Sequence, residues 1–310
     1  MKHIIIDTDT ASDDAVALIM ALRDPEVKVE AVTVVAGNVP LEQAVKNALI
    51  SIEVAGTYHP PVYKGLAKPL LRELVTAENV HGDDGLGDAG YTVKTIRIES
   101  EHAVDAMIRI IESSEHELEL VTLGPLTNVA VACLLAPETI KKLKCITIMG
   151  GSGLGPGNMT PVAEFNIYVD AEAAQIVLNS GVNLFIVGWD VSLGEAFIND
   201  QDMQTMLNSG NPVADFCVRC NSTLAAYNFD RFAIQGFDLP DPVTMAAALY
   251  PEIVLETYQA YTYAEINSPT AYGHLVIDRA SLLHLPPNTT ICAKIDAAKF
   301  KEKLFKAVCN

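Results

Sequence analysis

The sequence predicts an α/β protein with a mostly parallel central sheet and helices on both faces. Short β-branched runs alternate with longer segments of helical periodicity, which is the pattern of strand–helix–strand units. The predicted strands are almost continuously apolar, as in residues 4–6 and 184–187, and parallel strands buried on both faces have this composition. Because the 310 residues contain no repeat, linker or low-complexity stretch, we expect residues 1–310 to form a single domain.

The elements are predicted in chain order from periodicity and from residues that begin or end a helix. An apolar strand over 3–7 stops at an aspartate-rich turn, and Ser12 is a favourable N-cap for a helix over 13–22. The other strands are predicted over 29–35, 118–122, 145–149 and 184–187, and the other helices over 41–54, 101–112, 125–134 and 171–178. Residues 199–250 are predicted to be mostly helical, and residues 258–277 return to strand character.

The composition excludes several classes of protein. Half of the residues are hydrophobic and 19% are charged, so we expect no extensive disorder. A net charge of −18 argues against binding to nucleic acid, which needs a basic surface. We expect no signal peptide before the first strand and no membrane span. The six cysteines lie in apolar segments, as reduced core thiols do, so we expect a cytoplasmic protein.

Four aspartates stand where the first strand leads into the first helix, at positions 7, 9, 13 and 14. Asp7 and Asp9 point to the same side because they lie two residues apart on a strand. Like charges at the end of an apolar strand need a cation, and carboxylate oxygens suit Ca²⁺ or Mg²⁺. Polar and glycine-rich segments at 36–38, 124–128 and 150–166 also follow strands. Ligands bind at the carboxyl ends of parallel strands, so the sequence predicts a metal-containing site there.

Two other classes of protein share parts of this pattern. Phosphohydrolases of the haloacid dehalogenase type also open with a strand ending in Asp-x-Asp, and use an aspartyl nucleophile with Mg²⁺. They place Thr or Val where this chain has Ala11, and they do not need Asp13 and Asp14. A nucleotide-binding module could use the glycines of 151–157, but its fingerprint must join a strand to a helix, and Pro156 interrupts it.

Six short motifs follow one another along the chain. They are Asp-Thr-Asp-x-x-x-Asp-Asp-Ala-x-Ala at 7–17, Val-Ala-Gly-Asn at 35–38, His-Gly-Asp-Asp-Gly at 81–85, Leu-Gly-Pro-Leu-Thr-Asn at 123–128, Met-Gly-Gly at 149–151 and Ala-Glu-Phe-Asn at 163–166. In this order and spacing they resemble the inosine-uridine preferring nucleoside hydrolase family over nearly the whole chain. The resemblance implies a Rossmann-like nucleoside hydrolase fold, a ribonucleoside substrate and a homodimer or homotetramer.

The resemblance also implies the residues of the site. Ca²⁺ would be bound by Asp9, Asp14, the backbone carbonyl of Leu123 and Asp241, and Asp9 would act as general base toward water. Asp7 would orient these ligands. The positions that match ribose-binding residues of the family are Asp13, Asn38, Asn158, Glu164 and Asn166. Cleavage of an N-glycosidic bond passes through an oxocarbenium-like state, which an acidic pocket stabilises.

The chain departs from the family pattern at Pro240, where many members carry a histidine that protonates the leaving base. Candidates for contacting the base instead are His81, Phe165, Trp189, Tyr227 and Arg231. These candidates do not determine which base the substrate carries. It could be a purine, a pyrimidine, or a modified base such as that of queuosine, whose cationic side chain suits an acidic protein. A non-catalytic nucleoside-binding protein is the alternative of another class. The expected reaction is calcium-dependent hydrolysis of a ribonucleoside to base and ribose in a salvage pathway.

Overall fold

The computed structural model describes residues 1–95 and 97–310, which build a large sheet with helices packed around it. The strands are β1 (Lys2–Thr8), β2 (Val27–Val34), β3 (Val62–Lys64), β4 (Leu118–Thr122), β5 (Cys145–Met149), β6 (Leu184–Val187), β7 (Ile198–Asn199), β8 (Gly236–Phe237), β9 (Val254–Ala264), β10 (Leu275–Asp278) and β11 (Thr289–Ile295). The helices are α1 (Ser12–Arg23), α2 (Leu41–Ala55), α3 (Glu78–His81), α4 (Ala103–Ser113), α5 (Thr127–Leu135), α6 (Pro137–Ile140), α7 (Phe165–Val169), α8 (Ala171–Leu178), α9 (Asp200–Asn208), α10 (Pro212–Arg219), α11 (Ser222–Phe232), α12 (Pro240–Leu249) and α13 (Ala297–Cys309). None of the described helices is both long enough and apolar enough to span a membrane.

The large sheet has the strand order β10-β9-β11-β6-β5-β4-β1-β2-β3 among the described residues. Every pairing from β11 to β3 is parallel, and β9 runs antiparallel to both of its neighbours. The predicted mostly parallel sheet is therefore confirmed. The chain moves outward in one direction from β1 through β3 and in the other from β4 through β6. The crevice at the carboxyl ends of the strands consequently opens between β1 and β4.

Helices cover both faces of the sheet because successive side chains of β1 point to opposite faces. Ile4 and Ile6 pack into a core with α1, α2 and α12, whereas Ile5 packs into a second core with α4, α5 and α8. All three isoleucines are fully buried. This explains why the run at 4–6 is apolar at every position instead of alternating.

The predicted elements differ from the structure mainly at their ends and in the C-terminal region. The helices predicted from 101 and 125 begin later, at Ala103 and Thr127. The segment predicted as strand over 258–277 is two strands, β9 and β10, separated by turns at 265–274. The short β3, the paired β11 and the terminal helix α13 were not predicted.

Candidate active site

Two loops approach Asp9, which itself lies in the loop immediately after β1. Gly37 follows β2 and Gly124 follows β4. A Cβ atom at position 37 would lie 2.1 Å from Asp9 Oδ2, and one at position 124 would lie 2.5 Å from Oδ1. Both distances are far shorter than a van der Waals contact. The two glycines are therefore required for space, since the carboxylate lies between their backbones.

The two oxygens of Asp9 have different surroundings. Oδ2 accepts a hydrogen bond from the backbone N–H of Asn38 at 2.6 Å, whereas Oδ1 is buried and has no protein partner. Asp13 has a similarly unpartnered Oδ1. A buried carboxylate oxygen without a partner is costly, so these two atoms are suited to bind a cation or a hydrogen-bond donor.

The start of α1 differs from the sequence prediction. Ala11 is the N-cap residue and Ser12 is the first residue of the helix, so the prediction of Ser12 as N-cap was wrong. Asp14 satisfies the helix end instead, because its Oδ2 accepts from the backbone N–H of Ala11 at 2.9 Å. Its Oδ1 accepts from the Thr8 hydroxyl at 2.5 Å. Ser12 Oγ lies 2.8 Å from His81 Nδ1, and this contact links α1 to α3.

Four carboxylates meet at this point: Asp9, Asp13, Asp14 and Asp241. Asp13, Asp14 and Asp241 can each place an oxygen within 4.8 Å of the others. Burial raises the pKa of Asp9, Asp13 and Asp241 well above the usual range, and the neighbouring carboxylates raise it further. Burial also raises the pKa of Asp14, against the hydrogen bonds it accepts. The clustered acids and their unpartnered oxygens fit a divalent cation with a preference for oxygen ligands.

Asp7 lies within β1, two residues before Asp9, and is fully buried. Its Oδ1 accepts from Thr33 Oγ1 at 2.5 Å and from Asn128 Nδ2 at 2.8 Å, while Oδ2 has no partner. Burial raises the pKa of Asp7 to about 7. The side chain connects β1 to β2 and α5 beneath the carboxylate cluster.

The backbone carbonyl of Leu123 also faces the site. It accepts a hydrogen bond from Asn166 Nδ2 at 2.7 Å, which leaves its second lone pair available. Glu164 caps the short helix α7 and accepts from the backbone N–H groups of Gly151 and Asn166, each at 2.8 Å. Burial raises the pKa of Glu164 to about 7, and these N–H groups oppose the shift. Asn158 is exposed, and its Oδ1 accepts from the N–H of Phe165 at 2.9 Å.

A cavity of about 460 Å³ opens above the carboxylate cluster. The predicted site residues that line it are Asp13, Asn38, His81, Leu123, Asn158, Glu164, Phe165, Asn166, Trp189, Tyr227, Arg231 and Asp241. Asp9 and Asp14 are not in its lining and lie beneath it, fully buried. The structure therefore gathers the residues singled out from the sequence at one place, with Asp9 and Asp14 beneath the cavity and the others in its lining.

Asp238 also lines the cavity, and the sequence reasoning did not single it out. It is 7% exposed, and its Oδ2 accepts from Trp189 Nε1 at 2.6 Å. Asn228 Nδ2 lies 3.3 Å from its Oδ1. The available signal was a second acid three residues before Asp241, in the segment that also contains the atypical Pro240.

His81 is nearly fully buried on α3, beside the carboxylates. Its Nδ1 lies 3.9 Å from Asp13 Oδ1 in addition to its contact with Ser12. Burial lowers the pKa of His81 to about 4, so the ring is neutral at pH 7. A neutral imidazole can donate one hydrogen bond and accept another, and it contributes no positive charge to the cavity.

Comparison with known proteins defines the class. Residues 4–302 match the family model described as inosine-uridine preferring nucleoside hydrolase. A pyrimidine-specific ribonucleoside hydrolase, RihA of Enterobacter sp. (strain 638), is 37% identical over 97% of this chain and 96% of its own. RihA of Photobacterium profundum is also 37% identical, over 100% and 99%.

Solved structures give the same result. The purine-preferring ribonucleoside hydrolase from Gardnerella vaginalis superposes with a TM-score of 0.91 at 28% identity, covering 99% of this chain and 98% of that one. A plant nucleoside hydrolase, PpNRh1, superposes with a TM-score of 0.92 at 30% identity over 99% of both chains. The protein is thus a nucleoside N-ribohydrolase. It belongs to the inosine-uridine preferring nucleoside hydrolase family, as the six motifs predicted.

Proposed function

We propose that this enzyme hydrolyses the N-glycosidic bond of a ribonucleoside in a calcium-dependent reaction, releasing free base and ribose for salvage. The observation that supports this most directly is the pair of unpartnered buried oxygens, Asp9 Oδ1 and Asp13 Oδ1, beneath a cavity of about 460 Å³. Asp9 lies beneath the cavity, and Asp13 lines it. A metal ion and a polyol would together supply their missing partners.

The proposed calcium ligands are Asp9, Asp14, the carbonyl of Leu123 and Asp241. All are oxygen donors, and the three carboxylates are buried, which suits a hard cation with several oxygen ligands. A bound calcium ion supplies positive charge, which favours the ionisation of water at the site. Asp7, hydrogen-bonded to Thr33 and Asn128, holds the end of β1 in position beneath these ligands.

Asp9 is the proposed general base. Its Oδ1 is free to accept a proton from the attacking water, while the N–H of Asn38 fixes the orientation of the carboxylate through Oδ2. The proposed ribose-binding residues are Asp13, Asn38, Asn158, Glu164 and Asn166, which all line the cavity. Their negative charge and hydroxyl-binding groups would stabilise the positive sugar ring of the transition state.

The proposed base contacts are His81, Phe165, Trp189, Tyr227 and Arg231, which line the same cavity. Two relatives of this chain are named pyrimidine-specific, whereas a structural neighbour is named purine-preferring. The substrates to be tested therefore include pyrimidine and purine nucleosides as well as one modified nucleoside. They are uridine, cytidine, inosine, adenosine, guanosine and queuosine.

Release of reducing sugar from these six nucleosides, with and without a calcium chelator, tests the proposal. We expect release from at least one nucleoside, loss of that activity with the chelator, and recovery when calcium is added back. Release that continues undiminished in a chelator would contradict the calcium dependence. Metal binding without any ribose release would point to a substrate outside these six or to a nucleoside-binding protein.

The remaining features of the proposed enzyme concern the whole chain. Residues 1–310 would act as a single domain, since β11 near the C-terminus pairs with β6 in the sheet that contains β1. A homodimer or homotetramer is proposed, and the exposed Leu134 and Leu135 on α5 offer apolar surface for it. A cytoplasmic location agrees with the six cysteines, which are all free thiols.

A further inference from the structure

The base end of the cavity contains a proline where a proton donor would be expected. Pro240 lines the cavity directly before Asp241, at the first position of α12. Its side chain has no acidic proton, and a proline has no backbone N–H to donate. The leaving nitrogen of an ordinary base must gain a proton or a hydrogen bond as the bond breaks, and a positioned acid contributes about 10²–10⁴-fold to such steps.

The same end of the cavity contains a carboxylate that the proposed metal and ribose contacts do not use. Asp238 is held by Trp189 Nε1 at 2.6 Å and is close to Asn228 Nδ2, so its position is fixed. Asp13, a proposed ribose contact, lines the same cavity, so Asp238 adds a further carboxylate to the cavity that would hold the substrate.

Little positive charge opposes these acids. Among the described residues that line the cavity, Arg231 is the one lysine or arginine, and it is exposed. Its guanidinium lies 5.6 Å from the ring centroids of both Tyr227 and Phe232. Together with Phe165 and Trp189, these rings line the cavity with aromatic surface. Aromatic faces and a desolvated carboxylate both favour a cationic guest.

We propose that the preferred substrates are ribonucleosides whose base already carries a fixed positive charge, such as a pyridinium or an N7-alkylated purine. This inference rests on the proposed function and specifies its substrate class. When the C1′–N bond of such a substrate breaks, both electrons pass to the ring nitrogen, and the base leaves neutral without receiving a proton. Water adds to C1′ and gives up one proton, so the products are ribose, neutral base and H⁺. The lack of a proton donor at Pro240 then does not slow the reaction, and Asp238 binds the charged ring.

The test compares guanosine with 7-methylguanosine, which differ by one methyl group and one charge, in buffer acidic enough to keep that charge. For the wild-type enzyme we expect kcat/KM to favour 7-methylguanosine by at least about 100-fold, since only guanosine lacks its acid. Ribosylnicotinamide, a pyridinium nucleoside, is expected to be hydrolysed as well. Equal kcat/KM values for the matched pair would overturn the inference while leaving nucleoside hydrolysis intact.

Variants separate the effect of the pocket from the greater lability of the methylated nucleoside. Asp238→Asn should lower kcat/KM for 7-methylguanosine by about tenfold or more and change guanosine far less. Pro240→His should raise kcat/KM for guanosine, which reduces the preference for 7-methylguanosine over guanosine. Asp230→Asn, which removes an exposed acid from α11, is the charge-matched control and should leave the ratio unchanged.

The outcomes distinguish this inference from the proposed function. An equal loss for both nucleosides in folded Asp238→Asn would show a structural role and overturn the assignment of Asp238. If Asp238→Asn does not fold, the change that Pro240→His makes in the ratio of the two kcat/KM values, with Asp230→Asn as control, still decides the substrate class. Failure of the wild-type enzyme to release ribose from either nucleoside, and from the other nucleosides tested above, would overturn the proposed function and the inference with it.

Discussion

At the scale of single residues, the site depends on how each oxygen of Asp9 is used. The backbone N–H of Asn38 occupies Oδ2, and the unpartnered Oδ1 remains for a metal or a proton. The carboxylate thereby combines two requirements of a general base, a fixed orientation and a free acceptor atom. Neither property can be recognised in the sequence, which shows only that an acid follows an apolar strand.

Asp9→Ala should reduce turnover by roughly 10³-fold or more, because it removes both the proposed base and a proposed metal ligand. The measurement is the rate of ribose release at saturating nucleoside, together with circular dichroism to verify folding. Asp105→Ala, which removes an exposed acid from α4, is the control and should retain normal turnover. Near-normal turnover in folded Asp9→Ala would exclude Asp9 as the base.

The sequence predicted which residues gather at the site better than it predicted their local contacts. The acids and amides were found because motifs preserve type and spacing. The role of Ser12 was predicted wrongly, because its hydroxyl contacts His81, 69 positions away in the chain, and Asp14 satisfies the helix end in its place. Asp238 was missed because its importance depends on Trp189, which reaches it across the fold.

At the scale of elements, the site is built by strand ends that approach one another more closely than side chains would permit. Asp9 after β1 lies between Gly37 after β2 and Gly124 after β4. Since these strands are parallel neighbours, their carboxyl ends necessarily meet at one edge of the sheet. The glycines allow the three loops to converge on a single carboxylate.

Gly37→Ala should impair catalysis more than stability. The added methyl group would lie 2.1 Å from Asp9 Oδ2 and would displace the carboxylate, so we expect at least about a tenfold loss of kcat, with overpacking costing about 1–3 kcal/mol. Ribose release and thermal unfolding measure the two effects. Gly155→Ala, whose methyl would lie 3.2 Å from Asp190 Cβ, is the milder control. Unchanged kcat in Gly37→Ala would show that the carboxylate needs no such exact position.

Elements with strong local signals were predicted well, and those that depend on pairing were not. The strand at 184–187 was predicted with its observed bounds, because it is apolar on both faces. β3 has only three residues, too few to show a period, and it exists because it pairs with β2. β11 is formed by pairing with β6 and β9, which are distant in the chain. Single-sequence periodicity contains no information on such partners.

At the scale of the whole molecule, the strand order concentrates negative charge at one point of an already acidic chain. Successive strands are added toward one edge of the sheet from β1 and toward the other from β4, and the carboxylates lie at the carboxyl ends of the strands where this order reverses. Alternation of strands and helices predicted parallel pairing, but several strand orders satisfy it, so the sequence could not place the crevice between these two strands. The buried acids make folding of the metal-free protein dependent on pH.

Removal of calcium should therefore destabilise the protein increasingly as pH rises. Burial raises the pKa of Asp7 from 3.8 to about 7 and that of Glu164 from 4.5 to about 7. Between these values the folded protein binds more protons than the unfolded chain, so the free energy of unfolding falls as pH increases through this window. Burial also raises the pKa of Asp9, Asp13 and Asp241, and these shifts likewise lower the free energy of unfolding as pH rises.

The proposed calcium ion should offset the part of this loss that comes from its ligands Asp9 and Asp241, because it would stabilise their ionised carboxylates in the folded state. At a free concentration of 100 times Kd it adds about 2.7 kcal/mol. Thermal unfolding in chelator should give a Tm that declines from about pH 5 to about pH 8, whereas the calcium-loaded protein should change less, so the gap widens with pH. Sodium chloride at the same ionic strength is the control. A chelated protein whose Tm rises across this window would mean that the buried acids ionise without a metal partner.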